Sequence, residues 1–255
     1  MRIAVCCKFT PDTEDVFPEP DGSVSLASTK WGVSEYDLQA VQAAAEICSA
    51  DDETVAVTAG ASNINQPKLA KELLSRGNLA RLFRVADDAL EGADSAVVAK
   101  VLAAAVSRVG ADVVLFGEGS SDRYARTMGA QVAAELGWPS VNVADRIEVR
   151  GDSIVVERDV EDGIEVVELS VPCAISTTST INIPPLPTMK AVLGAGKKPI
   201  EDASVGDLGV DACALVEQVS VEVPAKPGRQ QVLIEGTPDE MAAQLIAKLQ
   251  ADQVL

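Results

Sequence analysis

The segment GEGSSDRYARTMGA, residues 117–130, follows the apolar stretch ADVVLF and joins small, hydroxylated residues to a helical pattern. Its glycines allow close approach to the backbone, its serines add hydroxyl groups, and its first aspartate is expected to cap a helix over 122–137. These residues are Gly117, Gly119, Ser120, Ser121 and Asp122. A strand leading through such a loop into a helix N-terminus is typical of phosphate sites in α/β proteins. The segment has neither the G-x-x-x-x-G-K-[ST] of a P-loop nor the spacing of G-x-G-x-x-G, so the alternative is a turn without a ligand.

A second charged stretch, KFTPDTED at 8–15, begins where the apolar run RIAVCCKF at 2–9 ends. The carboxyl ends of parallel strands meet at one edge of a sheet, so Lys8 would meet a phosphate there. Taken without context, a solvated lysine before an Asp-rich turn is the preferred interpretation. The acids of DVEDGIEVVE at 159–168 suggest acid/base catalysis, but a solvated hairpin explains them better.

Composition excludes several classes of function. The 255 residues include no histidine, which rules out imidazole bases, Ser-His-Asp and Cys-His catalysis, and His-ligated metals. The net charge of −18 argues against binding to nucleic acid or to an anionic membrane surface. We expect no signal peptide and no membrane insertion, because the chain opens with a strand and no apolar run approaches a membrane span.

The cysteines indicate the redox compartment. Their odd number and irregular spacing predict reduced, buried thiols in a cytoplasmic protein. They are Cys6, Cys7, Cys48, Cys173 and Cys213. Cys6 and Cys7 are neighbours in an apolar strand, so their side chains should point to opposite faces.

The elements that must position these residues alternate regularly. Val/Ile/Leu-rich runs predict strands over 2–9, 54–59, 79–85 and 111–117. Ala-rich stretches between them predict helices over 34–48, 67–77, 94–110 and 122–137. Ser34 is the expected N-cap of the first helix. This order predicts an α/β fold, a parallel three-layer nucleotide-binding sheet with helices on both faces.

The pattern changes after the fourth helix. Residues 146–171 read as strands joined by RGDS and EDG turns, which predicts an antiparallel hairpin at one edge of the sheet. We expect a C-terminal arm over 201–255, after a domain at 1–200, with a final amphipathic helix at 237–250. The apolar positions of that helix are Met241, Leu245, Ile246 and Leu249. The arm either packs on a partner or folds back on its own domain.

A Pro-rich segment at 180–202 shows neither a helix nor a strand period. Such a long loop is usually functional or disordered. Met189 is a flexible apolar residue suited to anchoring a partner, and Lys190, Lys197 and Lys198 form a basic spot beside it. A simple linker is the alternative.

Several of these segments together resemble the β subunit of electron-transfer flavoproteins. The matching motifs are K-x-x-P-D-T at 8–13, SEYDLQAVQAA at 34–44, LFGEGSSD at 115–122, INIPPLPTMKAVLGAGKKPI at 181–200 and GDLGVD at 206–211. They span essentially the whole chain. The version of the loop and of the Pro-rich segment looks most like the Fix-type branch, which is tied to carnitine and acyl-CoA metabolism.

The resemblance implies a carrier rather than an enzyme. The β subunit would pair with an α subunit and cover part of an FAD that both share, with Thr13 near the flavin. Electrons would pass between an acyl-CoA dehydrogenase-type protein and a quinone or ferredoxin-linked oxidoreductase. The segment at 180–200 would be the recognition loop, and the arm at 201–255 would pack on the α subunit.

The resemblance also implies a nucleotide pocket in this chain, holding AMP or a second FAD. Its residues would be Cys6, Lys8, Ser34, Tyr36, Asp37, Ala59, Gly117, Gly119, Ser120, Ser121, Asp122, Tyr124, Ala125 and Thr127. The partner-binding residues would be Leu186, Met189 and Lys190. AMP-binding members carry D-x-D and a Gln in the loop, where this chain has Tyr124 as the second position and Thr127 for the Gln. Tyr124 offers a ring for stacking on adenine or flavin, so AMP and FAD both remain open.

Two alternatives accompany this interpretation. One is an electron-bifurcating flavoprotein subunit with its own FAD. The other belongs to a different class, a nucleotide-binding homodimer of the universal-stress type, which would need no partner subunit.

Overall fold

The computed structural model describes residues 1–17, 19, 23–26, 28–221, 228 and 231–254. Within them the strands are β1 Arg2–Cys6, β2 Phe9–Pro11, β3 Trp31–Val33, β4 Glu53–Gly60, β5 Arg81–Ala86, β6 Val113–Gly117, β7 Ser140–Ala144, β8 Arg146–Arg150, β9 Ser153–Val160, β10 Gly163–Ser170, β11 Cys173–Thr177 and β12 Ile200–Ala203. The α-helices are α1 Glu35–Ile47, α2 Pro67–Leu74, α3 Ser95–Val109, α4 Met128–Leu136, α5 Met189–Ala195 and α6 Pro238–Ala251.

A seven-stranded sheet forms the centre of the fold, in the order β12-β5-β4-β1-β6-β11-β7. Every neighbouring pair in it is parallel. The chain runs outward from β1 through β4 and β5, then returns to place β6 on the other side of β1. The strand order therefore reverses between β1 and β6, and such a switch point is where open α/β sheets bind ligands. The predicted α/β class with a parallel core is confirmed.

The sheet is buried on both faces, because successive side chains of its strands enter different hydrophobic clusters. Ile3 and Val5 belong to the cluster under α1 and α2, whereas Ala4 and Cys6 belong to the cluster under α3 and α4. Cys7 lies in the first cluster, so the adjacent thiols do face opposite sides, as predicted. Burial on both faces explains why the strands are continuously apolar.

The cysteines are all free thiols, but they are not all buried. Cys48 is half-buried, and Cys213 is exposed. The prediction of buried thiols is therefore wrong for these two, which lie outside the central sheet.

Helix boundaries follow local capping where the sequence supplies it. Asp94 caps α3, because its Oδ1 accepts a hydrogen bond of 2.9 Å from the amide of Val97, and Gly110 ends the helix at φ 67°. α1 begins directly after Ser34 as predicted, although the Ser34 side chain makes no capping bond. α4 begins at Met128 rather than at residue 122, so the predicted helix start is wrong.

The antiparallel strands predicted at 146–171 form a separate three-stranded sheet in the order β10-β9-β8. It adjoins the main sheet beside β7, where the amide of Asp145 donates to the carbonyl of Glu157 at 2.8 Å. The hairpin prediction is confirmed, and the correction is that the strands do not extend the edge of the main sheet.

The Pro-rich segment contains regular structure that its sequence did not predict. Thr188 caps the short helix α5 by accepting a bond of 3.2 Å from the amide of Ala191. Further along, β12 adds a parallel edge strand to β5. Among the described residues, those up to 221 form one compact unit, and those from 228 belong to a second.

The second unit contains α6, the amphipathic helix predicted at 237–250. A capping box at Thr237 and Glu240 fixes its start. Its apolar residues Met241, Leu245 and Ile246 are 40–50% exposed. No helix among the described residues is both long and apolar enough to span a membrane.

Candidate functional site

The switch point brings together two segments that are far apart in sequence. Cys6, the last residue of β1, pairs with Phe116 near the end of β6. Lys8 follows the first strand and the loop from Gly117 follows the second, so both lie at the same carboxyl edge. Several residues proposed from sequence for a nucleotide pocket therefore meet here.

Asp37 holds the two strand ends together. Its carboxylate is 6% exposed and accepts hydrogen bonds from the amides of Lys8, at 2.7 Å, and Gly117, at 3.3 Å. Burial raises the pKa of Asp37 to about 7, and the two amide bonds oppose that shift only in part. The residue lies in the first turn of α1, where the helix dipole favours a carboxylate. Asp37 thus fixes the start of α1 against the carboxyl ends of β1 and β6.

Gly117 is required by the close approach of α1. A Cβ at this position would lie 2.4 Å from the carbonyl oxygen of Tyr36 and 2.8 Å from Oδ1 of Asp37. Both distances are far below ordinary contact. The glycine therefore lets the helix N-terminus sit directly on the strand end.

Ser34 and Ser121 fasten the loop to the same helix. The amide of Ser121 donates to Ser34 Oγ at 3.3 Å, and the amide of Glu35 donates to Ser121 Oγ at 3.2 Å. Ser121 thereby satisfies the amide of Glu35, one of the free amides at the start of α1.

Lys8 is paired with Asp122. Its Nζ lies 2.7 and 2.6 Å from the two carboxylate oxygens. Partial burial raises the pKa of Asp122, but hydrogen bonds from Lys8 and Ser120 outweigh burial and hold that pKa below its usual value. The prediction that Asp122 caps a helix is wrong, because its carboxylate turns to Lys8 and α4 starts six residues later.

A second cluster closes the loop over itself. The hydroxyl of Tyr124 donates to Glu118 at 2.7 Å, and Arg126 lies 3.7 Å from the same carboxylate. The Arg126 guanidinium also lies 5.7 Å from the Tyr124 ring centre. The Tyr124 ring also packs on Tyr36, with ring centres 5.0 Å apart. Sequence reasoning missed Glu118 and Arg126, although both lie within the quoted loop.

The backbone of this loop adopts an uncommon conformation. Tyr124 and Arg126 have φ values of 43° and 58°, in the left-handed region that non-glycine residues rarely enter. The Tyr124 ring covers Gly119 so closely that a Cβ there would lie 2.6 Å from it. Packing and ion pairing of the two side chains offset this strain.

The remaining predicted residues are Cys6, Thr13, Ala59, Ala125 and Thr127. Cys6 is buried with its thiol pKa raised, Ala59 is near the end of β4 on the far side of β1, and Thr127 immediately precedes α4. Ala125 is exposed in the loop, and Thr13 lies in a short 3-10 turn. The structure shows no bond from these five residues that would join them to the Lys8 cluster.

Metal-ligand clusters and cavities are two further kinds of candidate site. The described residues contain no group of three or more acidic or thiol side chains able to hold a metal ion. A cavity of about 400 Å³ lies away from the switch point, between α3, α4 and residues 209–211.

The geometry can be compared with known families. The model of the electron transfer flavoprotein domain matches residues 23–208. The chain belongs to the electron transfer flavoprotein family. Its members are electron carriers that work in heterodimeric partnership, which argues against a self-sufficient homodimer of the universal-stress type. The match includes the loop at the switch point and the Pro-rich segment.

The flavoprotein family suggests a flavin or nucleotide, and the switch point fits one in part. Tyr36 and Tyr124 offer aromatic surface for a planar base. Gly117 and Gly119 do not expose the backbone to a ligand, because the Tyr36 carbonyl and the Tyr124 ring lie against them. At the phosphate end, Lys8 is already engaged by Asp122. Lys8 is the cation that a phosphate would need here, and the Asp122 carboxylate occupies it.

The Pro-rich segment of this flavoprotein presents a row of exposed apolar side chains. Ile183, Leu186, Met189 and Leu193 are 92%, 83%, 74% and 66% exposed. We name this row the docking surface. Lys190 beside it is also exposed. Exposed apolar rows of this kind mark interaction sites.

Side-chain hydrogen bonds hold the docking surface on α1 and α2. Asn182 Nδ2 donates to the carbonyl of Gln39 at 3.0 Å, and Lys198 Nζ donates to that of Leu74 at 2.8 Å. Burial lowers the pKa of Lys198. Arg76, just after α2, donates to the carbonyl of Pro185 at 3.3 Å. The segment is therefore a supported surface and not a simple linker.

Proposed function

We propose that this chain is the β subunit of a heterodimeric electron-transfer flavoprotein of the Fix-type branch. It would pass electrons between acyl-CoA dehydrogenase-type proteins and a quinone or ferredoxin-linked oxidoreductase, in the cytoplasm. The observation that carries this proposal is the docking surface, whose apolar side chains are exposed on a supported segment. A protein that exchanges electrons with several partners needs such a surface but needs no acid/base group, and the sequence has no histidine.

An FAD held between this chain and the α subunit would supply the redox chemistry. The residues of the switch point would hold a nucleotide, AMP or a second FAD, by stacking on Tyr124 and by contact of Lys8 with a phosphate. In this role the chain binds and orients cofactors and performs no bond-making step itself.

The docking role is tested by Leu186→Glu and Met189→Glu in the heterodimer. Burying a carboxylate against an apolar partner is costly, so reduction by a substrate-reduced acyl-CoA dehydrogenase that reduces the wild-type heterodimer should slow about tenfold or more. The flavin content should stay unchanged. Ile164→Glu is the matched control, because Ile164 is 68% exposed on β10, outside the docking surface. Unchanged reduction kinetics in both docking variants would remove this role.

A second candidate is the electron-bifurcating form. The paired rings of Tyr36 and Tyr124 are compatible with it, because they would suit an isoalloxazine as well as an adenine. That form predicts two flavins per heterodimer and reduction by NADH. Flavin counting on the denatured complex separates it from the simple carrier.

A further inference from the structure

Two cations at the switch point are each paired with an acid of the same loop. Lys8 Nζ contacts both carboxylate oxygens of Asp122, and Arg126 lies 3.7 Å from Glu118. In phosphate sites, lysine and arginine make these contacts to phosphate oxygens. In this structure carboxylate oxygens occupy both cations.

The two ion pairs differ in strength. Lys8 Nζ lies 2.6 and 2.7 Å from the two Asp122 oxygens, whereas Arg126 lies 3.7 Å from Glu118, although the two cations are similarly exposed at 42% and 49%. Glu118 is 8% exposed and also accepts the Tyr124 hydroxyl at 2.7 Å. A ligand would therefore compete mainly with Asp122 and secondarily with Glu118.

These contacts close the loop on itself. The Tyr124 ring lies on Gly119, and both Tyr124 and Arg126 have positive φ. Loss of the two carboxylate contacts would free Lys8 and Arg126 and let the loop backbone relax. While the pairs are intact both cations are already neutralised, so an incoming phosphate gains a contact with Lys8 or Arg126 only by displacing the carboxylate.

We propose that a phosphate-bearing nucleotide enters the switch point by exchange, displacing Asp122 from Lys8 and Glu118 from Arg126. Asp122 and Glu118 then limit nucleotide affinity instead of contributing ligand contacts. The inference rests on the proposed nucleotide pocket. It predicts that neutralising an acid in the loop strengthens binding.

The test measures binding of AMP and of FAD by calorimetry to the heterodimer after nucleotide has been stripped from this chain's pocket. Asp122→Asn should lower Kd about three- to tenfold, because the amide keeps the shape and removes the competing charge. Glu118→Gln should give a smaller gain in the same direction. Lys8→Met should weaken binding about tenfold or more. Glu46→Gln is the control for a simple change in net charge, since Glu46 is exposed near the far end of α1, and it should leave Kd unchanged.

Each result has a distinct meaning. Tighter binding in Asp122→Asn with no change in Glu46→Gln supports the exchange, and the better of the two ligands identifies the nucleotide. Equal or weaker binding in Asp122→Asn, while the wild type binds, overturns the exchange but leaves the pocket in place. If neither the wild type nor Asp122→Asn binds AMP or FAD, the pocket itself is refuted and the exchange with it.

Discussion

Replacing Gly117 with alanine tests how the switch point is assembled. The added Cβ would lie 2.4 and 2.5 Å from the carbonyl oxygen and carbon of Tyr36, and 2.8 Å from Asp37 Oδ1. Ordinary contacts between non-bonded carbons are about 3.5–4.0 Å, so the first turn of α1 must move by about 1 Å. The obstacle is backbone and cannot rotate away as a side chain can.

The expected cost follows from this overlap. Overpacking costs about 1–3 kcal/mol, and the rigid obstacle places Gly117→Ala near the upper end. Loss of glycine's freedom in the unfolded chain returns about 0.4–1 kcal/mol, which leaves a net destabilisation of about 2 kcal/mol. Displacement of α1 should also weaken the two amide bonds to Asp37 and nucleotide binding with them.

Urea unfolding of the purified chain measures this effect. Gly129→Ala is the matched control, because its Cβ would lie 3.4 Å from the Phe116 ring and the residue is helical. That change should be neutral or stabilising by up to about 1 kcal/mol. If Gly117→Ala unfolds at the wild-type urea concentration, the close approach of helix and strand does not shape this site.

Three further changes test other parts of the account. Burial raises the pKa of Asp37 to about 7 from 3.8, so the folded state should lose stability as pH rises from about 4 to 7. The urea midpoint of Asp37→Asn should therefore fall less than that of the wild type over this pH range. Equal slopes of urea midpoint against pH in the two proteins would contradict this. Asp94→Ala removes the cap of α3 and the acceptor for the amides of Leu215 and Val216. Hydrogen exchange should therefore rise at the start of α3 and at 215–216. Unchanged exchange at 215–216 would show that Asp94 does not hold this part of the arm. Arg76→Leu removes the hydrogen bond to the Pro185 carbonyl and should speed hydrogen exchange in 182–193 about fivefold, the equivalent of ~1 kcal/mol. Arg76→Lys should keep the exchange rate near that of the wild type. Equal effects of the two variants would exclude the hydrogen bond as the cause.

Most of the central sheet was predictable from sequence because its signals are local. α3 shows this best: Asp94 and Gly110 bracket an apolar pattern, and both act as caps in the structure. The continuously apolar strand segments likewise predicted a sheet buried on both faces. Neither inference depended on distant parts of the chain.

The loop at the switch point was not predictable in the same way. Asp122 looks like a helix cap, but its partner Lys8 lies 114 residues away in the sequence. Tyr124 and Arg126 adopt left-handed conformations, so α4 cannot begin before Met128. The sequence gives no local signal for a left-handed conformation at a non-glycine residue.

The prediction for the Pro-rich segment was wrong for a different reason. α5 is only seven residues long, and the surrounding prolines outweigh its short helical pattern. β12 is a four-residue strand that exists because β5 offers it a free edge. Tertiary pairing of this kind overrides local preference.

The most direct test of the central claim is to count cofactors in the assembled protein. The chain is co-expressed with a candidate α subunit, the complex is sized by gel filtration, and FAD and AMP are quantified after denaturation. The account predicts a one-to-one heterodimer that releases FAD together with one further nucleotide, either AMP or a second FAD. A colourless homodimer of this chain that ignores the α subunit and releases no FAD would contradict it.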